Sequence, residues 1–494
     1  LKEEDSKEVQ ESEQKMQPKK KRSISLTQYI ISLIIIAIVA SGATVAVFGI
    51  YSRKEATQLR GSSIQSIDYL NQVIKMAYFD KVDDQKLIDG ALKGMVEALD
   101  DPYSSYFSKS EAKDFDDSIS GSFEGIGAVM TMQDGVPTIA EPPIKGSPAE
   151  KAQLRANDKI LKINDKKVSD KSLNDVVKEV RGKKGSTVKL EVARDKEVFN
   201  VEIKRDKIPV ESVKSNIDKN HKNIGYIDIK SFNDTTSDEF NKAIESLEKE
   251  GAKGLIIDVR GNPGGILPQV EEITSRFLRN GETIVQFEDR NKKESKDTAS
   301  EQLDEGKKIN LPTVLLVDQD SASASEIMAA ALKDSGRFDV VGTKTFGKGT
   351  VQSLIPLGDQ GEAKLTISKW LTPKGQWIHK KGVEPTVDVE YPEYLKNRMI
   401  DTSKTYREGM ISDDVKIINS DLQALGYQVD GKSDTYTNTT KTAVSEFQEK
   451  EDLTVTGEVD KDTAVKIVES VINYWKANDT QYQKAMDLVL EKVK

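Results

Sequence analysis

Val314-Leu315-Leu316-Val317-Asp318-Gln319-Asp320-Ser321-Ala322-Ser323-Ala324-Ser325-Glu326 opens the stretch around which the rest of this chain is arranged. An alanine-rich run to Asp334 follows, and then Thr345-Phe346-Gly347-Lys348-Gly349-Thr350-Val351-Gln352. Residues 313–317 are apolar without alternation, the pattern of a strand buried on both faces. The serine-rich turn then leads into a helix expected over 325–334. A strand that feeds a helix through a tight turn can expose a hydroxyl while neighbouring N–H groups point into the same space. Among the serines of this turn, Ser323 is taken as the candidate nucleophile. Lys348, between two glycines at the start of another expected strand, is its candidate general base.

Simpler readings compete. Ser323 with Glu326 fits a capping box, in which the pair only closes a helix start. Gly347-Lys348-Gly349-Thr350 fits a solvated turn. Gly342 with Gly347-Lys348 has the spacing that opens a phosphate-binding loop, but Gly349 stands where a hydroxyl must reach magnesium, and a strand follows instead of a helix.

Rival chemistries narrow the choice. The 494 residues include no cysteine, which removes thiol catalysis, and only two histidines, His221 and His379, without the spacing of a zinc pair. His221 lies in a polar run; His379 stays open as an alternative base. A lysine base must be neutral, which requires desolvation to bring its pKa from roughly 10.4 towards about 7–8. A carboxylate partner would oppose that, so a neutral acceptor is wanted. Gln352, four residues further along the strand on the same face, fits the task.

These residues resemble the signature of the carboxyl-terminal processing proteases, the tail-specific serine peptidases of family S41. The resemblance implies that Ser323 is the nucleophile, Lys348 the base and Gln352 its partner. It also selects Ser323 over Ser321 and Ser325, which chemistry alone does not separate. Leu255-Ile256-Ile257-Asp258-Val259-Arg260-Gly261-Asn262-Pro263-Gly264-Gly265 resembles the family's strand and glycine turn, implying one oxyanion N–H at Gly264 or Gly265. Ala324, next to the nucleophile, would supply the second. Similarity also suggests Asp334 as a catalytic residue, although eleven residues of helix carry it about 16 Å away.

The rest of the chain reads as an α+β multidomain protein. Residues 1–22 are polar and end in a basic cluster, 1–28 are expected as a tail before the membrane, and 29–50 are almost wholly apolar, long enough for one transmembrane helix. The flanking basic residues place the N-terminus in the cytoplasm, with a single pass through the cell membrane and the remainder outside. Residues 56–118 read as a helical arm suited to pairing two chains as a homodimer. Residues 119–205 resemble a PDZ domain. Gly125, Ile126 and Gly127 would form its carboxylate-binding loop, Gly146-Ser147-Pro148-Ala149 its short helix start, and Leu173, Val176, Val177 and Val180 a helical face. Such a module adds a peptide as an extra strand and captures its free C-terminus. Gln153 departs from the glycine usual at that helix end.

Residues 206–395 alternate strand-like runs with amphipathic helices, an α/β layer pattern in which the charged segment 287–308 reads as a surface excursion. After a linker (396–413), residues 414–475 resemble a small helical peptidoglycan-binding domain, and 476–494 read as a terminal helix. With 31% charged residues and a net charge of −9, nucleic acid is not an expected partner. Nothing in the sequence calls for a metal or cofactor. The expected function is a membrane-anchored extracytoplasmic endopeptidase acting on proteins or peptides with free C-termini; a catalytically silent wall-associated scaffold is the competing reading.

Overall fold

A computed structural model describes residues 62–493 of the chain. The expected cytoplasmic tail and transmembrane helix (1–50) lie outside the described residues, and no helix among the described residues is long and apolar enough to cross a membrane. The helical reading of 56–118 resolves into helices Ser62–Ala77, Asp84–Glu97 and Lys109–Ile119, with a short strand Ser105–Phe107 between the last two.

The core is a six-stranded sheet in the order Val213–Ile217, Ile224–Ile229, Gly254–Asp258, Thr313–Val317, Asp339–Gly342, Val387–Asp388. The first pair is antiparallel and all the others are parallel. Every residue of Gly254–Asp258 and Thr313–Val317 is buried, because apolar layers cover both faces of a mostly parallel sheet. One face packs on helices Thr236–Lys249, Leu267–Ser275 and Ala324–Asp334 through Phe240, Val270 and Met328. The other is covered by helix Thr480–Val493, whose Ala485, Met486 and Val489 meet Ile256, Val314 and Val341. The terminal helix expected over 476–494 is thus one wall of this core. Asp479, at its threshold, pairs with Arg260 at 2.7 Å, which also binds Asp258.

A second, antiparallel sheet is organised on strand Glu362–Leu371, which is flanked by Ser105–Phe107 and Thr283–Asp289 and also pairs with Thr350–Pro356. The charged segment 287–308 is not a surface excursion. It contributes to the hairpin Thr283–Asp289/Glu294–Thr298 in this sheet. One side of that hairpin faces solvent, so its charges mask a regular strand pairing.

The PDZ module enters and leaves through the paired strands Ser122–Gly125 and Asp206–Pro209. Within it, Val176 and Val180 are core, whereas Leu173 and Val177 stay half-buried on the helix face. The peptidoglycan-binding-like region packs helices Asp413–Ala424, Asn438–Lys450 and Lys461–Ala477 around Leu422, Val444 and Phe447, with Leu425 at the margin.

Candidate active site

The turn between Thr313–Val317 and Ala324–Asp334 is strained at one residue. Ser323 adopts φ 55° and ψ −111°, a conformation that costs a non-glycine residue about 1–3 kcal/mol and persists where surrounding structure enforces it. Its neighbours do the enforcing. Ser321 Oγ donates to the Val259 carbonyl at 2.8 Å and Ser325 Oγ to the Asn262 carbonyl at 3.0 Å. The Ala322 N–H also reaches Asn262, at 3.0 Å. Both flanking serines are fully buried and serve to clamp the elbow onto the glycine turn. Ser323 is half-buried, and its hydroxyl faces the Glu326 amide as a capping box requires but makes no cap hydrogen bond. That amide goes to the Ser323 carbonyl at 2.9 Å. The three serines that chemistry left unresolved in the sequence are therefore separated by geometry.

Gly264 and Gly265 lie against this elbow. A Cβ on Gly264 would stand 2.8 Å from Ser323 Cβ, and one on Gly265 would stand 2.0 Å from the Phe232 carbonyl oxygen, so only glycine permits the approach. The two amides differ. Gly264 N–H donates to Asn262 Oδ1 at 2.8 Å, whereas the N–H groups of Gly265 and Ala324 take no hydrogen-bond partner among the described residues. Gly265 is thus the better placed of the two expected donors, with Ala324 beside it at a helix N-terminus.

Lys348 sits in a loop just ahead of strand Thr350–Pro356, and it shares a cavity of about 490 Å³ with Ser323, Gly265, Gln352, Lys364 and Trp370. Its loop is fixed by side chains from elsewhere. Trp370 Nε1 donates to the Lys348 carbonyl at 2.8 Å, and Trp377 Nε1 to the Gly349 carbonyl at 2.8 Å. His379 stacks on Trp377 with ring centroids 5.3 Å apart and accepts from the Gly349 N–H at 3.4 Å. The alternative base is in this way part of the loop's scaffold. The flanking glycines answer a packing demand, since a Cβ on Gly347 or Gly349 would meet backbone nitrogens of the 379–382 segment within about 3 Å.

Burial lowers the pKa of the Lys348 amine, and the charge of Lys364 lowers it further, against the carboxylates of Glu326 and Asp101. Its Nζ lies 5.1 Å over the Tyr103 ring. Gln352 Nε2 is committed to Thr350 Oγ1 at 3.0 Å and Thr366 Oγ1 at 3.2 Å, which leaves its carbonyl oxygen as the group able to accept from an amine.

Glu326 joins the two halves of the site. Its fully buried carboxylate accepts from Ser323 N–H (2.9 Å), Thr345 Oγ1 (2.6 Å), Gly347 N–H (2.6 Å) and Lys348 N–H (2.8 Å). Burial raises its carboxyl above the usual range despite these donors. The capping box pointed to Glu326 for a different reason; nothing in the sequence signalled Tyr103, Lys364 or Trp370. Asp334 is not brought to the site. It closes the far end of helix Ala324–Asp334 and binds the Lys374 N–H at 3.1 Å, as the length of eleven helical residues requires.

In the PDZ module a Cβ on Gly127 would stand 2.5 Å from Ser147 Cβ. The carbonyls of Ile126 and Gly127 accept from Ala149 and Ile144, whereas their amides have no backbone partner among the described residues.

Comparison with known proteins assigns four parts of the chain to families of domains. Residues 223–389 match the model of peptidase family S41, 125–204 a PDZ domain, 412–467 a putative peptidoglycan binding domain, and 35–111 the N-terminal domain of the activating protease CtpB. The chain is 44% identical over 460 residues to the carboxy-terminal processing protease CtpA of Bacillus subtilis, covering 92% of this chain and 97% of that one. It is 40% identical to CtpB of the same organism, covering 87% and 90%. A solved photosystem II D1 C-terminal processing protease is 27% identical over 68% of this chain and 95% of its own, with a TM-score of 0.40.

Proposed function

Since the chain belongs to the carboxy-terminal processing serine proteases of peptidase family S41, we propose that it cuts protein tails with a Ser323–Lys348 dyad, as an endopeptidase guided by its PDZ domain. The observation that carries the dyad is the meeting of a strained, uncapped Ser323 and a desolvated Lys348 in one cavity.

The steps follow from the residues present. Neutral Lys348 takes the Ser323 proton as Oγ attacks the scissile carbonyl carbon. The resulting oxyanion is met by the Ala324 and Gly265 N–H groups, donors that need no reorganisation. The Lys348 ammonium then protonates the leaving amine, and the same lysine deprotonates the water that frees the acyl group. The Gln352 carbonyl oxygen would hold the amine in place without favouring its charged form. In the PDZ loop, amides of Gly125, Ile126 and Gly127 would take the free carboxylate of the tail as the peptide adds a strand.

Three further readings extend this one. Residues 29–50 would anchor the protein in the cell membrane with the protease outside, and 414–475 would hold it to peptidoglycan. The exposed Ile64, Ile67 and Leu70 of helix Ser62–Ala77 would pair two chains.

The dyad is tested with a peptide bearing an apolar free C-terminus. Ser323→Ala and Lys348→Ala are each expected to abolish cleavage while circular dichroism stays native. Turnover surviving in either variant would remove the dyad.

A further inference from the structure

Lys364 lies on strand Glu362–Leu371, opposite Leu354 on one side and Ser105 on the other. It lines the same cavity as Ser323 and Lys348. Its Nζ stands 5.4 Å over the Phe107 ring and 5.2 Å over the Phe115 ring. Among the described residues neither Lys348 nor Lys364 forms an ion pair; aromatic faces take that place for both. Two ammonium groups in one partly dry cavity repel each other, and the one with less support gives up its proton.

The supports are unequal. Lys364 lies over two rings, and cation–π attraction favours its charged form. Burial lowers the pKa of both amines, but Lys348 lies over one ring and is the more deeply desolvated of the two. We propose that Lys364 is a positioning residue for the reaction: it keeps its own proton and, by its charge, holds Lys348 as the neutral amine that serves Ser323. This rests on the dyad proposed above.

The other charged groups around the pair do not cancel the effect. Glu326 and Asp101 both favour the Lys348 ammonium, but the Glu326 carboxylate is already shared among four donors. Asp101 is held by Ser104 Oγ at 2.6 Å and the Tyr103 N–H at 3.1 Å, and it favours the charge on Lys364 as well. Tyr103 faces Lys348 as a neutral ring, because burial raises its phenol. His379, with Lys380 beside it, has its pKa lowered by burial and stays uncharged at neutral pH. A second cation beside a buried lysine is a general way to ready an amine.

The test is the pH profile of kcat/KM for the full-length enzyme on the tailed peptide. In Lys364→Met the midpoint of the rising limb should move up by about one unit, a loss of about tenfold at pH 7 that is regained at high pH. Lys364→Glu should move it further, and Lys364→Arg should restore the original midpoint. A loss of equal size at every pH, or a midpoint that stays put in Lys364→Met and Lys364→Glu, would overturn the proposal. Lys348→Ala separates the two readings. If it is inactive while the Lys364→Met midpoint is unmoved, the role of Lys364 alone falls; if it is active, the dyad falls.

Discussion

Ser323 is placed by one clamp between two turns at the ends of adjacent strands, whereas Lys348 is placed by residues from several separate elements. The elbow needs Ser321, Ser325 and one glycine turn, all tied to the edges of two adjacent parallel strands. The lysine loop needs Glu326, Trp370, Trp377, His379 and the Tyr103 segment, none of them adjacent to it in the chain. A site with one half held by a single clamp and one half held by several elements should fail in two ways. Damage to the elbow would displace the proposed nucleophile; damage to the lysine's supports would leave both groups present but mismatched.

Glu326 belongs to both halves, so its removal is the most severe way to break the contrast. Glu326→Ala leaves four buried donors without an acceptor, and we expect a stability loss of about 3 kcal/mol. We expect kcat/KM to fall by about a hundredfold or more, because small displacements of catalytic groups are costly. Glu326→Gln, with one oxygen to accept and an amide that opposes the facing N–H groups, should lie between. Thermal denaturation and peptide cleavage check both. Wild-type kcat/KM in Glu326→Ala would show that the halves hold themselves in place.

The same contrast explains what could be read in the sequence. The all-apolar run at 313–317 matches strand Thr313–Val317 because a strand buried on both faces leaves a continuous signal. The elbow was legible for the same reason of locality. Lys364 and Tyr103 carried no local mark, since their role comes from a strand pairing between Ser105–Phe107 and Glu362–Leu371. The charged hairpin at 283–298 was hidden because only Ile284 and Val285 of its first strand are fully buried. Helix Thr480–Val493 was recognisable as a helix, but its sequence did not name the sheet face that receives Ala485 and Val489.

A smaller effect sharpens the comparison from the elbow's side. Helix Leu267–Ser275, which continues from the glycine turn, carries Glu271, whose buried carboxyl lies near Asp297. Desolvation first, and the neighbouring carboxylate second, push Glu271 up to about 8. The folded state thus keeps a proton that the unfolded chain releases near pH 4.5. Stability from this group is fully present below that value and is lost as pH rises to about 8. Glu271→Gln, neutral throughout, should gain about 3 kcal/mol on wild type between pH 5 and pH 8. Denaturant melts at the two values decide it. An equal offset at both would mean that the pair does not hold the extra proton.

The smallest effect compares two residues with positive φ. Ser323 and Gln153 have φ of 55° and 60°, but only the first lines the cavity shared with Lys348. Gln153 follows the short helix Pro148–Lys151, where its N–H reaches the Glu150 carbonyl at 2.8 Å, and glycine is the residue that adopts this turn without a Cβ penalty. Gln153→Gly should therefore raise stability by about 0.5–1 kcal/mol, part of the relief being offset by glycine's greater freedom in the unfolded chain. Cleavage should be unchanged. Ser323→Gly relaxes the elbow in the same sense, but it removes the hydroxyl and should end activity while the melting temperature holds or rises. If Gln153→Gly instead destabilises the PDZ module, the side chain carries packing that outweighs its strain, and the two positive-φ residues are alike in being retained for what they touch.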